Sequence, residues 1–561
     1  MPAGTAIAPG IEVMAGQAGA SRLPDLDLPP SVTERLERLA PDQRAAATAP
    51  SGPILCVAPA GSGKTTTLVA RAAWLIATGT SPGAIRAITF NKRAAEEMTE
   101  RLDAAVGPLG VASGAVAVRT FHALGREILR DAGVAVEPLV DRDAILRELR
   151  PDADDAERLR LDTVISRLKL ELGVRVADVA ADPEAGPTAR AFVAYERAVA
   201  ATGGLDFDDL VLRAIASLEA QAGLLERWRA RCQELLVDEV QDVDRAQLRL
   251  ALLLAAPANR IFLVGDDDQS IYGWRLADVR RILGLADVLP GLLRVDLEVN
   301  HRCPPPIVER AVRLVEHNQE RFAKRIRAGT RAEGRLVLAP DGSDETVRLR
   351  RALETWPEDG STRAVLARTN RELLPAVVVA LDLDWPFRAP RIDLLVESPL
   401  VDELLSRLED GRTSGEPLLV SVGRLRAGEA DLERNEVATA MLGWAAAYPD
   451  AIAFAAAVRR VRERLVALRR DDAPFSLATA HATKGLEFEH VVVVGMEAAR
   501  FPSARSVQDA EDPTRALEEE RRLGYVAWTR ARRTLTLSYD PATPSPFLLE
   551  AFSHDELGLG P

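Results

Sequence analysis

Eight short apolar runs, separated by amphipathic helical stretches, limit what this 561-residue chain can fold into. The first four are GPILCVA (52–58), IRAITF (85–90), ELLVDE (234–239) and RIFLVGD (260–266), and the second four are RLVLAP (335–340), RAVLAR (363–368), HVVVVGM (490–496) and TLTLSY (534–539). Runs that are apolar throughout, with helices between them, read as strands of parallel sheets covered on both faces. The pattern predicts an α/β protein with two such sheets. Residues 31–122 and 205–290 are expected to form the first sheet domain, and residues 291–374 and 475–553 the second. Charged helical sequence without buried-strand runs fills 123–204 and most of 375–474, which predicts a helical subdomain inserted into each. Residues 1–30, rich in Ala, Gly and Pro, are expected to be a loose tail. No period of 20 to 50 residues points to a solenoid.

Composition narrows the function classes. No apolar run approaches the roughly 20 residues that cross a bilayer, and the N-terminus lacks a basic start followed by an apolar core, so a cytoplasmic protein is expected. Cys56, Cys232 and Cys303 have no CxxC spacing, which excludes a disulfide framework and a four-cysteine metal or iron–sulfur site. The net charge of −13 opposes a general attraction to nucleic acid. A field acts over only about 10 Å in 0.1 M salt, however, so a local basic or aromatic groove is compatible with an acidic chain.

The stretch VAPAGSGKTTT (57–67) contains one of only five lysines among 71 basic side chains. A compact ammonium reaches between phosphate oxygens where a planar guanidinium suits a different geometry. Here a strand ends at Ala58, a glycine-rich turn follows, and Lys64–Thr65 open a helix. In such a P-loop the backbone N–H groups of Ala60, Gly61, Ser62 and Gly63 close around phosphates at a helix N-terminus. Lys64 bridges the outer phosphates, and the Thr65 hydroxyl holds Mg²⁺. LLVDEVQD supplies acids at the carboxyl end of another strand, where ligands of such sheets bind. Asp238 would take Mg²⁺ through water, and Glu239 would orient and deprotonate the attacking water. Together these groups predict a nucleoside triphosphatase that uses Mg²⁺.

Eight ordered stretches carry a resemblance. APAGSGKT (58–65), TFNKRAAEEM (89–98), RTFHALG (119–125), VDEVQD (237–242), VGDDDQSIYGWR (264–275), VNHRC (299–303), TAHATKGLEF (479–488) and EEERRLGYVAWTRA (518–531) resemble the motif set of UvrD/Rep/PcrA-type superfamily 1 DNA helicases. The resemblance implies two RecA-like motor domains with ATP in the cleft between them, walking 3′ to 5′ on single-stranded DNA. It implies that Gln269 senses the γ-phosphate from the first domain, and that Arg302 and Arg530 reach it from the second as arginine fingers. Gln43 matches the glutamine that reads the adenine edge, and Glu487 the position that contacts the ribose. Thr66 stands where an arginine is often found near the base, and His301 where a tyrosine stacks on adenine.

Single-stranded DNA is held by flat side chains under the bases, at about 1–3 kcal/mol each, and by polar or cationic groups along the backbone. The resemblance places Phe90, Asn91, Thr120, His122, Tyr272, Trp274, Arg275 and His481 on that track. Leu276 replaces the glycine of the commoner WRGAD sequence. The motifs of the family's large mobile second insertion are not traceable in 375–474, and the chain ends soon after the last motor strand, so a minimal motor is expected. Such a motor translocates and hydrolyses ATP on DNA but unwinds 3′-tailed duplex poorly alone. The same motifs are compatible with a protein-displacing factor, an RNA-directed motor, or the motor subunit of a helicase–nuclease complex. They also leave room for an accessory repair protein as partner, and none of these readings involves a membrane.

Overall fold

The computed structural model describes residues 12–14 and 27–559 apart from 172, 183, 330–332, 358, 391, 411–415 and 430. The chain divides into two compact units. The first comprises Met1–Glu333 with Glu511–Tyr525, and the second Gly334–Ala510 with Val526–Pro561.

The first unit is built on seven strands: β1 (Glu12–Met14), β2 (Pro53–Val57), β3 (Ile85–Thr89), β4 (Ala117–Thr120), β5 (Glu234–Val237), β6 (Ile261–Gly265) and β7 (Leu293–Asp296). Every pairing is parallel, in the order β1-β7-β2-β6-β5-β3-β4. Successive side chains of a strand point to opposite faces, and each face has its own core. Leu55, Val57, Leu235, Val237 and Leu263 pack on one side with helix Phe121–Asp131. Ile54, Cys56, Leu236, Phe262 and Val264 pack on the other with helix Lys64–Ala77. Strands wrapped in this way show no polar alternation, which is why the apolar runs were conspicuous. The register sets Val57 against both Gly265 and Asp296, and Val237 against Leu263, so the carboxyl ends of β2, β5, β6 and β7 lie side by side. Beyond β7, β8 (Val299–Asn300) pairs with β9 (Arg327–Ala328).

Helices Arg142–Leu149, Asp155–Ser166, Val176–Ala180 and Pro187–Thr202 gather around Ile145, Ile165, Phe192, Tyr195 and Val199 as a separate small core. A bridge between Leu139 and Leu205 closes the base of this insertion. Helix Phe121–Asp131, expected inside the insertion from residue 123, belongs to the sheet core instead, because Phe121, Leu124, Ile128 and Leu129 form one apolar stripe against the sheet.

The second unit holds β10 (Arg335–Pro340), β11 (Arg363–Ala367), β12 (Phe387–Arg388), β13 (Phe475–Thr479), β14 (Phe488–Val493) and β15 (Ala531–Tyr539). They pair in parallel in the order β10-β15-β14-β11-β13-β12. Helix Leu374–Asp382 packs on this sheet through Ala376, Val377 and Ala380. The inserted helices form their own core from Val401 to Val458, so the insertion expected at 375–474 starts later than its first residue.

All eight apolar runs are strands, and the α/β class with parallel sheets holds. Two further boundaries move. Glu12–Met14, within the expected tail, is an edge strand beside β7, and the remainder of 1–26 lies outside the described residues. Residues from 291 to 333 belong to the first unit rather than the second domain, because β7 continues the first sheet beside β2. Arg294 and Asp296, paired at 2.6 Å on one face of β7, interrupt the apolar signal that would have marked this strand.

Two glycine substitutions probe this packing in opposite directions. A Cβ at Gly125 would lie 2.3 Å from the Leu210 carbonyl oxygen, where helices Phe121–Asp131 and Asp209–Ala220 meet backbone to backbone. Gly125→Ala should therefore destabilise the first unit by about 1–3 kcal/mol. Gly443, inside helix Leu432–Ala445, faces open space. Gly443→Ala should stabilise the second unit by about 0.5–1 kcal/mol. Urea unfolding midpoints check both.

Candidate nucleotide site and nucleic-acid face

The loop after β2 is shaped by its backbone. Gly61 (φ +68°) and Gly63 (φ +85°) are left-handed, a region that costs a residue with a Cβ about 1–2 kcal/mol. Space demands glycine as well: a Cβ at Gly61 would meet Asn300 Oδ1 at 2.6 Å, and one at Gly63 would meet Gln43 Nε2 at 2.5 Å. The loop is gripped on both sides. Gln43 Nε2 donates to the Ser62 carbonyl at 2.7 Å, and the His301 N–H donates to the Gly61 carbonyl at 2.9 Å. Asn300 Oδ1 accepts the N–H groups of Arg302 and Cys303, each at 2.8 Å, which fixes the turn carrying Arg302. Lys64 Nζ donates to the Ala58 carbonyl at 3.0 Å. The Ser62 hydroxyl is buried without a hydrogen-bond partner, an orphan that a phosphate oxygen would satisfy. Thr65 and Thr66 follow in the first helical turn, with Thr66 exposed.

Arg302 and His301 therefore stand against the P-loop within the first unit, not in a second domain as expected. The cause is the placement of β7, which carries the following residues back over the loop. His301 is solvent-exposed, with its ring free of the core.

The acidic side is organised by Gln241. Its Nε2 donates to Glu239 Oε2 at 2.5 Å, and its Oε1 accepts the Asp266 N–H at 3.0 Å. Asp238 closes β5 with its N–H on the Ile88 carbonyl at 2.9 Å, and its Oδ1 accepts the Glu239 N–H at 3.0 Å. Glu239 has φ +52°, rare for a non-glycine residue and frequent at functional turns. Gln269 Nε2 donates to Asp266 Oδ2 at 2.6 Å. Beneath this turn the fully buried Lys324 ammonium meets Asp266 at 2.9 Å, Asp267 at 2.5 Å and Asp268 at 2.9 Å. Burial alone would raise Asp268, but Lys324 and Arg321 outweigh it and hold its pKa at about 2.

The same loop then presents aromatic rings. Phe90 and Tyr272 stack at 5.2 Å with planes 9° apart, and Trp274 meets Tyr272 edge-on at 6.1 Å. Trp274 is 52% exposed, a large apolar ring left in solvent beside a cation: the Arg275 guanidinium lies 4.5 Å from its centroid. Glu519 accepts the Gly273 N–H at 2.9 Å and fixes the turn. Leu276 takes φ +69°, the conformation that a glycine would adopt without strain. A second pair lies on the strand-end side, where the His122 and Phe207 rings are 4.2 Å apart. They border a cavity of about 550 Å³ lined also by Lys92, Arg119, Thr120 and Arg126. Burial pushes His122 down to about 4, although Asp208 pulls the other way, so its imidazole is neutral at pH 7.

Comparison with known proteins matches this arrangement to two family models, the UvrD/REP helicase N-terminal domain over residues 39–290 and the UvrD-like helicase C-terminal domain over residues 466–541. The chain belongs to the UvrD/REP helicase family. DNA helicase II of Escherichia coli (strain K12) is 29% identical over 91% of this chain and 85% of its own length. The ATP-dependent DNA helicase PcrA of Staphylococcus aureus (strain NCTC 8325 / PS 47) is 26% identical over 90% of this chain and 83% of its own. The two parallel sheets are the RecA-like motor folds of a UvrD-type helicase.

The remaining expected residues of this family member sit in its second unit. Arg530 is buried, its Nε on the Val526 carbonyl at 2.9 Å and its Nη1 on the Leu486 carbonyl at 3.1 Å. Glu487 is exposed and paired with Arg532 at 3.0 Å. Burial, with Arg368 nearby, lowers His481 to about 4. Two expected DNA contacts also have local duties as helix caps: Asn91 Oδ1 accepts the Ala94 N–H at 2.9 Å, and Thr120 Oγ1 the Ala123 N–H at 3.2 Å.

Sequence reasoning missed Gln241, Lys324, Tyr525 and Phe207. Tyr525, whose hydroxyl accepts the Ala60 N–H at 3.3 Å, is held protonated by its burial and by Asp266 and Asp268. Lysine scarcity could have flagged Lys324, and the acid-flanked aromatic of LDFDD could have flagged Phe207. Among the described residues no helix is long and apolar enough to cross a membrane.

Lys324→Met should cost the first unit about 3–5 kcal/mol, because it leaves three buried aspartates without their cation. A lowered urea midpoint would show it. His122 gives a pH signature. As pH falls below its ordinary 6.5, the unfolded chain takes up a proton that the folded chain refuses down to about 4. Stability should drop by about 2 kcal/mol by pH 5, and His122→Gln should flatten that slope in unfolding measured across pH.

Proposed function

We propose that this protein is an ATP-driven DNA helicase that moves 3′ to 5′ along single-stranded DNA and opens 3′-tailed duplexes in repair or replication–recombination. One observation carries the reading. The loop that places Gln269, tied through Asp266 and Gln241 to Glu239, continues directly into Tyr272 and Trp274. Nucleotide-sensing and base-stacking groups thus share one short segment, so a change at one end is mechanically available to the other.

The chemistry assigned to each residue follows from its surroundings. The amides of Gly61 and Gly63 and the Ser62 hydroxyl are assigned to the phosphates at this helix N-terminus, with the Ala60 N–H on the Tyr525 hydroxyl beside them, and Lys64 is assigned the outer phosphates. The Thr65 hydroxyl and the Asp238 carboxylate are the groups that would hold Mg²⁺, which would supply charge neutralisation for phosphoryl transfer. Glu239, oriented by Gln241, takes the proton of the attacking water. Arg302 lies against Gly61 and is placed to neutralise the developing charge, and Gln269 reports it to the loop. Arg530 is proposed as the cation contributed by the second unit, as the family motif implies. Gln43 and His301 flank the P-loop as base-side contacts, with Thr66 beside them, and Glu487 is assigned the ribose.

On the nucleic-acid side, Phe90, Tyr272, Trp274 and His122 offer ring faces, and Asn91, Thr120, Arg275 and His481 offer backbone contacts. The smaller second insertion supports a motor that translocates more readily than it unwinds alone. An accessory repair protein would supply what the insertion lacks.

ATP hydrolysis should be stimulated by single-stranded DNA and more weakly by RNA of the same length. Lys64→Ala should lower DNA-stimulated turnover at least about 100-fold, or ~2.7 kcal/mol of barrier, while DNA binding persists. Normal turnover by that variant would overturn the phosphate assignment, and efficient unwinding of long 3′-tailed duplex by a monomer would overturn the minimal-motor reading.

A further inference from the structure

Both aromatic platforms of the first unit are tied to one turn of the inserted subdomain. Residues Arg167–Glu171 form a π-helical turn, a wide and rare geometry that recurs at functional sites. Two side chains leave it in different directions.

Lys169 is 5% exposed, yet its ammonium meets Asp206 at 2.8 Å, Asp209 at 2.9 Å and Glu196 at 3.0 Å. Arg142 of the same subdomain adds bonds to Asp206 at 2.7 Å and Asp208 at 2.6 Å. Tyr195 and Ser166 donate to Asp206 and Asp208, at 2.8 Å and 2.7 Å. The backbone N–H groups of Asp206 and Asp209 each donate to the other's carboxylate, at 3.2 Å and 2.9 Å. Every acid flanking Phe207 is thus clamped, while Phe207 itself is 56% exposed and rests on His122. A bulky ring in solvent on so rigid a backbone is preorganised for a flat ligand.

Glu171 reaches the other way. Its carboxylate pairs with Arg281 and accepts the Arg245 N–H at 3.0 Å. Arg281 Nη1 donates onward to the Leu276 carbonyl at 2.6 Å. Leu276 is the left-handed residue that ends the Tyr272–Trp274–Arg275 turn, so this bond holds a strained backbone in the shape that exposes the indole.

We propose that the π-helical turn Arg167–Glu171 is a positioning element that sets both base-stacking platforms, Phe207–His122 through Lys169 and Tyr272–Trp274 through Glu171. Neither Lys169 nor Glu171 touches the nucleic acid; each acts through an aromatic residue. The inserted subdomain thereby tunes how tightly the motor holds single strands. This inference rests on the DNA-translocase reading above.

Double-mutant cycles test it, with a single-stranded oligodeoxythymidylate as probe. Lys169→Met should raise the DNA concentration that half-saturates ATPase by about 10-fold, the scale of one stacking contact, with the maximal rate changed less than about 2-fold. In a Phe207→Ala background the same substitution should add less than about 2-fold, because its route of action is gone. Glu171→Gln should weaken binding likewise, and should add little to Trp274→Ala; this arm remains readable if the buried Lys169 variant fails to fold. Equal losses of affinity with and without the aromatic partner would overturn the proposal. If DNA fails to stimulate the unaltered protein at all, the translocase reading falls first, and with it this inference.

Discussion

The buried ammonium of Lys324 is the interaction on which the first unit's chemistry depends. Strand β6 ends in three consecutive aspartates, and packing has taken all three out of water. Unpaired, such a run would repel itself and either protonate or refuse to fold. Lys324 meets one oxygen of each carboxylate, and Arg321 adds two bonds to Asp268 at 3.0 and 2.8 Å. With Asp266 anchored below through Oδ1, its Oδ2 is left to orient the Gln269 amide. The amide proposed as the sensor thus stands on a charged base that cannot shift alone.

That base is joined to the neighbouring strand by a single side chain. Gln241 uses both ends of its amide, the nitrogen on Glu239 and the oxygen on the Asp266 N–H, and it fits because Gly265 leaves room: a Cβ there would lie 2.3 Å from Gln241 Oε1. The carboxyl ends of β5 and β6 are adjacent by register, so a bridge of one residue suffices. The resulting chain runs from the proposed general base to the sensor and then along the backbone to the stacked rings. Parallel sheets collect loops at one edge, and here that shared edge turns two chemistries into one mechanical element.

What the sequence disclosed follows from the range of the forces involved. Strands wrapped on both faces are apolar along most of their length, so β2, β3, β5 and β6 are legible in the sequence, as is the turn at Gly61–Lys64. Strands with internal ion pairs did not: Arg294 and Asp296 satisfy each other on β7, and a reader of the sequence sees two charges where the fold sees a neutral pair. Missing β7 misplaced Arg302, since only the register of that strand brings Asn300–Arg302 back over the P-loop. Gln241 and Lys324 act across 25 and 58 residues of separation from Asp266, and no local pattern encodes such partners. Phe207 was hidden for a different reason, because an aromatic between acids looks like ordinary surface until the cations that hold those acids are known.

Lysine usage ties these cases together. A chain that meets its need for positive charge almost everywhere with arginine keeps few lysines, and Lys169 and Lys324 each face three carboxylates at 2.5 to 3.0 Å. A guanidinium spreads its donors around the rim of a plane, edge-on to one carboxylate as in Arg294 with Asp296, or to several around the rim as in Arg142 with Asp162, Asp206 and Asp208. An ammonium directs three donors from a point and can satisfy three acids that converge. The role proposed for Lys64 sets the same requirement in another form, with the converging oxygens those of phosphate. Two of the five lysines thus sit where carboxylate oxygens arrive from several directions at once, Lys324 under the turn that carries Gln269 and Lys169 beneath Phe207, and Lys64 is proposed to do the same for phosphate, whereas Lys92 lies exposed beside Glu96.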